Sequence, residues 1–173
     1  ESYCSKLNNG LTDTYATSGA NLLVENLEKA IESPSDVAVR EKLLYGSMLA
    51  GVAQGMTSVG GVHALSHAMA SRIDLTHGHA NAVFLVPMLK FNAEESPRVV
   101  EFLSAVGLSD LEGLEAWVSR VFQKSSLSSK WGEKSSDVNL GEAAEAALKD
   151  VCARTNPRKL TVEGLTLILE ITR

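Results

Sequence analysis

Four histidines lie close together in the sequence, and they are the residues with the clearest capacity for chemistry. All the histidines of the 173-residue chain fall between positions 63 and 79: His63, His67, His77 and His79. His63 and His67 are four residues apart, so on a helix their imidazoles project from the same side toward a common point. Neutral imidazole binds divalent metals, so the spacing indicates a metal site.

His77 follows a short break and stands at the predicted start of the next helix. The positive end of the helix dipole there disfavours imidazolium and keeps the ring neutral. A catalytic metal usually needs at least three protein ligands, and no acidic residue has an obvious partner spacing to these histidines. From the residues alone, two interpretations stay open: a metal site, and ordinary hydrogen-bonded histidines of a helical core or surface.

Composition excludes several classes of function. With 45% hydrophobic residues, the chain can bury the core of one domain. The net charge is -5 and the basic residues are scattered, so we expect neither nucleic acid nor a membrane as a partner. Cys4 and Cys152 are far apart, which argues against a disulfide scaffold and favours a cytoplasmic protein. Neither common glycine-rich phosphate-binding loop is present, so the chain contains no predicted nucleotide site.

The elements that would position the histidines are predicted to be helices, and strand signals are almost absent. Pro87 lies inside the second histidine helix and is predicted to kink it or end it early. Residues 45–53 on the second helix are rich in small side chains and predicted to be buried, and the serine-rich residues 124–136 are predicted to form an exposed loop. The predicted helices are Leu11–Ile31, Asp36–Gln54, Ser58–Ala70, His77–Phe91, Pro97–Val106, Asp110–Gln123, Leu140–Cys152 and Thr161–Thr172.

Two histidine-containing motifs carry a resemblance to a known family. Gly-Val-His-Ala-Leu-Ser-His at 61–67 and His-Gly-His-Ala-Asn-Ala-Val-Phe-Leu-Val-Pro at 77–87 resemble the signature of the iron-containing (group III) alcohol dehydrogenases. The separation of His63 from His77 matches as well. Flanking segments at 1–3, 45–51 and 152–161, the last containing Asn-Pro-Arg, also resemble the family, so the resemblance covers nearly the whole chain.

The resemblance implies a fold and an activity. Residues 1–173 would be the all-α C-terminal domain, of the dehydroquinate-synthase-like kind, from a two-domain enzyme whose N-terminal α/β domain binds NAD or NADP. The complete enzyme would oxidise a small alcohol or reduce an aldehyde or ketone. We also expect a homo-oligomer, because a domain separated from its partner domain leaves apolar surface uncovered. We expect the chain alone, which opens at Glu1 without an initiator methionine, to be inactive.

Individual roles follow from the same resemblance. Family members hold iron(II), in some cases zinc, by one aspartate and three histidines, and His63 and His77 match two of those histidines. The other two ligands are expected in an Asp-x-x-x-His motif that ends just before Glu1. His67 matches a histidine assigned to proton relay. Residues matching the substrate pocket are Gln54, Ser58 and Cys152, whereas His79 is expected at the surface or outside the ligand set.

An alternative function from another class is a stand-alone helical interaction module. In that interpretation the histidines serve only the architecture of the helical corner. An Asp-x-x-x-His motif encoded upstream would favour the enzyme, whereas a start codon at this point would favour the module.

Overall fold

The structure is a computed structural model that describes residues 1–132 and 137–173. Those residues contain α-helices and one 3-10 helix but no β-strand, so the predicted all-α fold is confirmed. The 3-10 helix η1, Val151–Thr155, follows the seventh α-helix, where a single helix over Leu140–Cys152 was expected. The α-helices are α1 Gly10–Glu32, α2 Val37–Thr57, α3 Gly61–Met69, α4 His77–Ala93, α5 Arg98–Ala105, α6 Leu111–Ser125, α7 Leu140–Lys149 and α8 Val162–Ile171.

Side-chain caps begin the first two helices. At α1, Asn9 Oδ1 accepts a hydrogen bond from the Thr12 backbone N–H at 3.2 Å, and Thr12 Oγ1 accepts one from the Asn9 N–H at 2.8 Å. At α2, Asp36 is the cap, and its Oδ1 accepts from the N–H groups of Ala38 and Val39 at 3.0 and 3.2 Å. These bonds satisfy donors that the first helical turn leaves unpaired.

α1 and α2 pack closely because glycine faces glycine. A Cβ atom at Gly19 would lie 2.7 Å from the Gly46 carbonyl oxygen and 2.8 Å from the Ala50 nitrogen. Both of those are backbone atoms, which cannot move aside without separating the helices. The two glycines therefore set the distance between α1 and α2.

The prediction that residues 45–53 are buried is wrong for most of them. Tyr45 and Met48 are 54% and 53% exposed, while burial is confined to Gly46, Leu49 and Ala53. Those three residues are spaced by three and four positions, so they form one narrow stripe. α2 contacts α1 along that stripe and leaves its opposite face open within the described part of the chain.

The core lies around α3 and α4, the helices that carry the histidines. α3 packs against α4, α7 and η1, while α8 packs against both α4 and α7. The alanines at 143, 144 and 147 are fully buried, and their small side chains let α7 approach α3 closely. The largest fully buried side chains of α3 and α4 are Leu65, Met69, Phe84 and Met88.

Pro87 does not end α4 early, since the helix continues to Ala93; the other predicted effect, a kink, stays a prediction. The flanking residues Phe84, Met88 and Leu89 are buried in the core. Their packing holds both halves of α4 in place although the proline removes one backbone donor. Neither α4 nor any other helix in the described ranges is both long and apolar enough to cross a membrane.

The serine-rich segment at 124–136 is not simply an exposed loop. Residues 124 and 125 still belong to α6, and Trp131 is fully buried. The Trp131 indole donates to the Leu169 carbonyl at 3.0 Å and to Thr172 Oγ1 at 3.1 Å, which anchors the segment to the end of α8. The remaining part of that prediction, residues 133–136, lies outside the described residues.

Candidate metal centre

Three of the four histidines come together where α3 meets α4. α3 presents His63 and His67 from one side, and His77 is the first residue of α4. The ring centroids of His63 and His77 are 5.2 Å apart, those of His67 and His77 are 5.4 Å apart, and those of His63 and His67 are 6.0 Å apart. The structure thus brings together the three histidines that the sequence singled out for chemistry.

Two of these imidazoles direct a nitrogen at the same point. The Asn81 amide nitrogen lies 3.3 Å from His63 Nε2 and 3.1 Å from His77 Nε2. A carboxamide N–H is a donor, so both Nε2 atoms act as acceptors with available lone pairs. Lone pairs of two imidazoles that meet at one place are the kind of donor set that binds iron or zinc.

The Asn81 side chain has incomplete hydrogen bonding. Its Oδ1 atom is buried and has no hydrogen-bond partner. Buried polar groups are nearly always paired, and the exceptions often mark ligand-binding or catalytic positions. This orphaned oxygen beside the two converging nitrogens fits a position that takes a further ligand.

Glu1 fixes the orientation of His63. Its Oε2 is hydrogen-bonded to His63 Nδ1, while its Oε1 accepts from the Val62 backbone N–H at 2.8 Å. Because a carboxylate only accepts, Nδ1 carries the ring proton and Nε2 keeps its lone pair. Burial acts to raise the pKa of Glu1, but the hydrogen bonds from His63 and Val62 help to hold that pKa below its usual value.

His67 has a carboxylate partner of its own. Its Nδ1 lies 3.0 Å from Asp150 Oδ2, at the junction between α7 and η1. The other carboxylate oxygen, Oδ1, accepts from the Cys152 backbone N–H at 2.8 Å. Asp150 therefore connects the histidine cluster to the start of η1.

The cluster favours the neutral form of His77. Desolvation disfavours its imidazolium, and protonated His63 and His67 would repel it, so the pKa of His77 lies below its usual value. The sequence predicted a neutral His77 from the helix dipole alone, and the neighbouring rings add to that effect. A neutral ring is the form that coordinates a metal.

A buried amide pair holds the start of α3 in place. Asn156 Nδ2 donates to Asn92 Oδ1 at 2.7 Å, and Asn92 Nδ2 donates to Asn156 Oδ1 at 3.1 Å. Asn156 Oδ1 also accepts from the Gly61 backbone N–H at 3.0 Å, two residues before His63. The Asn-Pro-Arg segment thus positions the first histidine helix.

The residues assigned to a substrate pocket divide between three places. Gln54 lines a cleft of about 260 Å³ together with His63 and Asn81. Ser58 lies with Gln54 in a neighbouring depression rather than in that cleft. Cys152 is buried, and its sulfur lies within 4.8 Å of ligand atoms of His67 and Asp150. Of the three, only Gln54 lines the cleft that His63 and Asn81 also line.

His79 faces away from this cluster. Its Nε2 is hydrogen-bonded to the Ser128 carbonyl oxygen at 2.6 Å, and its ring lies 6.0 Å from that of Phe122. The side chain links α4 to the segment after α6. This placement agrees with its expected position outside the ligand set.

Sequence reasoning missed the two carboxylates of the site. Glu1 lies 62 positions from His63, and Asp150 lies 83 positions from His67. Helical spacing reveals pairs within one element, whereas these contacts depend on how distant segments pack. The one available signal was the position of Asp150 two residues before Cys152, which was already assigned to the pocket.

Comparison with known proteins identifies relatives of the whole chain. Residues 1–172 match the family model described as "Fe-containing alcohol dehydrogenase family, C-terminal". The 1,3-propanediol dehydrogenase of Citrobacter freundii is 34% identical over 172 residues, which cover 92% of this chain and 44% of the relative. The NAD-dependent methanol dehydrogenase of Bacillus methanolicus is 30% identical over 182 residues, covering 98% of this chain and 47% of the relative.

A solved structure shares the fold. The crystal structure of a 1,3-propanediol oxidoreductase superposes with a TM-score of 0.88 at 28% sequence identity, covering 100% of this chain and 48% of the other. The chain thus spans about half the length of the relatives that it matches.

Proposed function

Because the chain belongs to the Fe-containing alcohol dehydrogenase family, as its C-terminal helical domain, we propose that the full-length protein interconverts an alcohol and an aldehyde or ketone with NAD or NADP. The observation that carries the proposal is the convergence of His63 Nε2 and His77 Nε2 on one point. A helical interaction module, the alternative function, would have no need of two imidazole lone pairs directed at the same place.

The proposed metal ligands in this chain are His63 and His77, which would hold iron(II) or zinc through Nε2. A divalent metal at this place supplies Lewis-acid polarisation of the alcohol oxygen, which makes the alkoxide accessible near neutral pH. Two neutral imidazoles bring no negative charge to the site. The family resemblance implies an aspartate and a third histidine as the remaining ligands, and we place them in the part of the full-length enzyme that these 173 residues do not include.

Other residues of this chain orient a ligand, accept the proton and line the substrate pocket. Glu1 holds the His63 ring so that Nε2 faces the converging point. His67 accepts the proton released by the alcohol. Gln54 lines the cleft beside His63 and favours a substrate with a further polar group, while Ser58 and Cys152 line more distant parts of the pocket.

The cofactor, oligomeric state and location belong to the same proposal. NAD or NADP, when bound, supplies the hydride acceptor, and we place its binding site outside this chain because neither common phosphate-binding loop occurs in it. The printed name of the methanol dehydrogenase relative supports an NAD-type cofactor. Exposed apolar side chains on α2, including Leu44 and Met48, support a homo-oligomer, and the free cysteines support a cytoplasmic location.

Turnover by the full-length enzyme tests this function. With iron(II) loaded, it should reduce NAD or NADP in the presence of 1,3-propanediol, 1-propanol or methanol. His77→Ala should abolish turnover, whereas His79→Ala removes an imidazole outside the cluster and should leave it intact. Metal-loaded enzyme that turns over none of the alcohols, or full activity of His77→Ala, would contradict the proposal.

A further inference from the structure

The His67 and Asp150 side chains form a hydrogen-bonded pair at the edge of the histidine cluster. The His67 Nδ1 to Asp150 Oδ2 distance is 3.0 Å, and the two side chains are 44% and 21% exposed. Within the described part of the chain, His67 Nε2 makes no hydrogen bond to protein. One ring nitrogen is therefore committed to Asp150, while the other is available to a bound molecule.

The backbone holds Asp150 in this orientation. Asp150 is the N-cap of η1, and its Oδ1 accepts from the Cys152 N–H at 2.8 Å. Its own N–H donates to the Ala147 carbonyl at 3.1 Å, at the end of α7. With Oδ1 engaged by the cap, Oδ2 is the oxygen that meets the imidazole.

Rigid helices hold both partners. Ala64, Leu65 and Ala68 surround His67 on α3 and are buried, as are the facing alanines of α7. Because both helices are fixed by the core, the distance between His67 and Asp150 does not depend on flexible segments. A carboxylate that is paired with one ring nitrogen fixes the tautomer and orientation of an imidazole.

We propose that Asp150 is a positioning residue for His67: it accepts the Nδ1 proton and so leaves Nε2 unprotonated as the atom that takes the alcohol proton. The role of His67 Nε2 as the proton acceptor rests on the proposed function. The proton moves from the substrate hydroxyl to Nε2, which gives an imidazolium that Asp150 stabilises through Nδ1–H. Release of the Nε2 proton to solvent restores the neutral ring.

The charge state of Asp150 supports the pairing. Partial burial acts to raise the pKa of Asp150, but hydrogen bonds from the Cys152 backbone and thiol and from His67 outweigh it, so the pKa lies below its usual value. Burial, with the carboxylate next to it, raises the pKa of Cys152 to about 12. The aspartate is thus the anion that faces His67, and the cysteine remains a neutral thiol.

A metal held by His67, Asp150 and Cys152 is the competing interpretation. Their ligand atoms lie within 4.8 Å of one another. Such a site would require the buried Cys152 to lose its proton, which its raised pKa opposes. It would also withdraw His67 Nδ1 from its hydrogen bond, so the two interpretations predict different protonation of the ring.

Nitrogen-15 spectra of the imidazoles in the metal-free chain test the pairing independently of any enzymatic reaction. His67 should be the Nδ1–H tautomer when neutral, and Asp150→Ser should shift it toward the Nε2–H form that imidazole prefers in water. Serine is the chosen replacement because it can still cap η1 but offers no second oxygen to His67. Asp110→Ser, at the equivalent cap of α6, should leave the His67 signals unchanged.

Two spectroscopic results would overturn the positioning role: a wild-type His67 in the Nε2–H form, or a tautomer that Asp150→Ser does not change. Asp150→Asn is a second test: with its single oxygen engaged by the Cys152 N–H, its amide N–H faces His67 Nδ1 and should also favour the Nε2–H form.

Kinetics of the full-length enzyme test whether His67, oriented by Asp150, accepts the alcohol proton. Asp150→Ser should lower kcat by about tenfold or more while KM and bound metal stay near the wild-type values. Unchanged kcat with an altered tautomer would reject the proton-transfer role but leave the dehydrogenase assignment intact. Loss of bound metal would instead favour the competing interpretation, in which Asp150 is a ligand.

Discussion

At the scale of residues, the site is defined by which nitrogen of each imidazole is engaged. Glu1 is hydrogen-bonded to His63 Nδ1 and Asp150 to His67 Nδ1, so carboxylates orient two of the three rings. Asn81 meets the Nε2 atoms of His63 and His77. The histidine motif predicted which rings would meet, but it could not predict these partners, because all but the His77–Asn81 contact join different segments of the chain.

Asn81 stands where a carboxylate would be most useful to a metal. Asn81→Asp should therefore tighten Co²⁺ binding by the 173-residue chain about tenfold or more, because it adds an anionic oxygen between two imidazoles. Calorimetry at about pH 8, above the usual imidazole pKa, would measure the affinity. Asn21→Asp, at a half-buried position of α1 outside the histidine cluster, adds the same charge and serves as control. Equal affinities for the two variants would contradict this geometry.

At the scale of elements, the sequence predicted most of the helices, but not which of their faces other elements cover. The interpretation of residues 45–53 as buried was wrong because small residues at 46 and 53 mark a narrow contact stripe, not a buried helix. Trp131 was misplaced because its partners, Leu169 and Thr172, lie 38 and 41 positions later in the chain. In both cases the missing information is tertiary packing.

The close α1–α2 contact predicts that alanine substitution changes the free energy of unfolding in opposite directions at Gly19 and Gly51. Gly19→Ala should lower the free energy of unfolding by about 1–3 kcal/mol, because its Cβ would meet the backbone of Gly46 and Ala50. Gly51→Ala lies in the interior of α2 with no atom within 4 Å of its Cβ, and should raise that free energy by about 0.5–1 kcal/mol. Urea unfolding measures both, and shifts in the same direction would show that the contact does not limit packing.

At the scale of the whole molecule, the chain is a helical domain to which we assign part of a metal site. The family and the all-α fold could be predicted because the histidine motifs are long and specific, and both are confirmed. The ligand, proton-relay and pocket roles stay predictions. Two imidazoles bind a divalent ion weakly, since no anionic ligand joins them. We therefore expect the proposed activity to need metal ligands from outside these 173 residues.

Calorimetric titration of the 173-residue chain with zinc tests most directly whether His63 and His77 form the metal centre. One weak site is predicted, and either His63→Ala or His77→Ala should weaken it by about tenfold or more. His79→Ala, which removes the histidine outside the cluster, should keep the wild-type affinity. Zinc binding that survives both ligand substitutions, or that is lost in Cys152→Ser instead, would contradict the account.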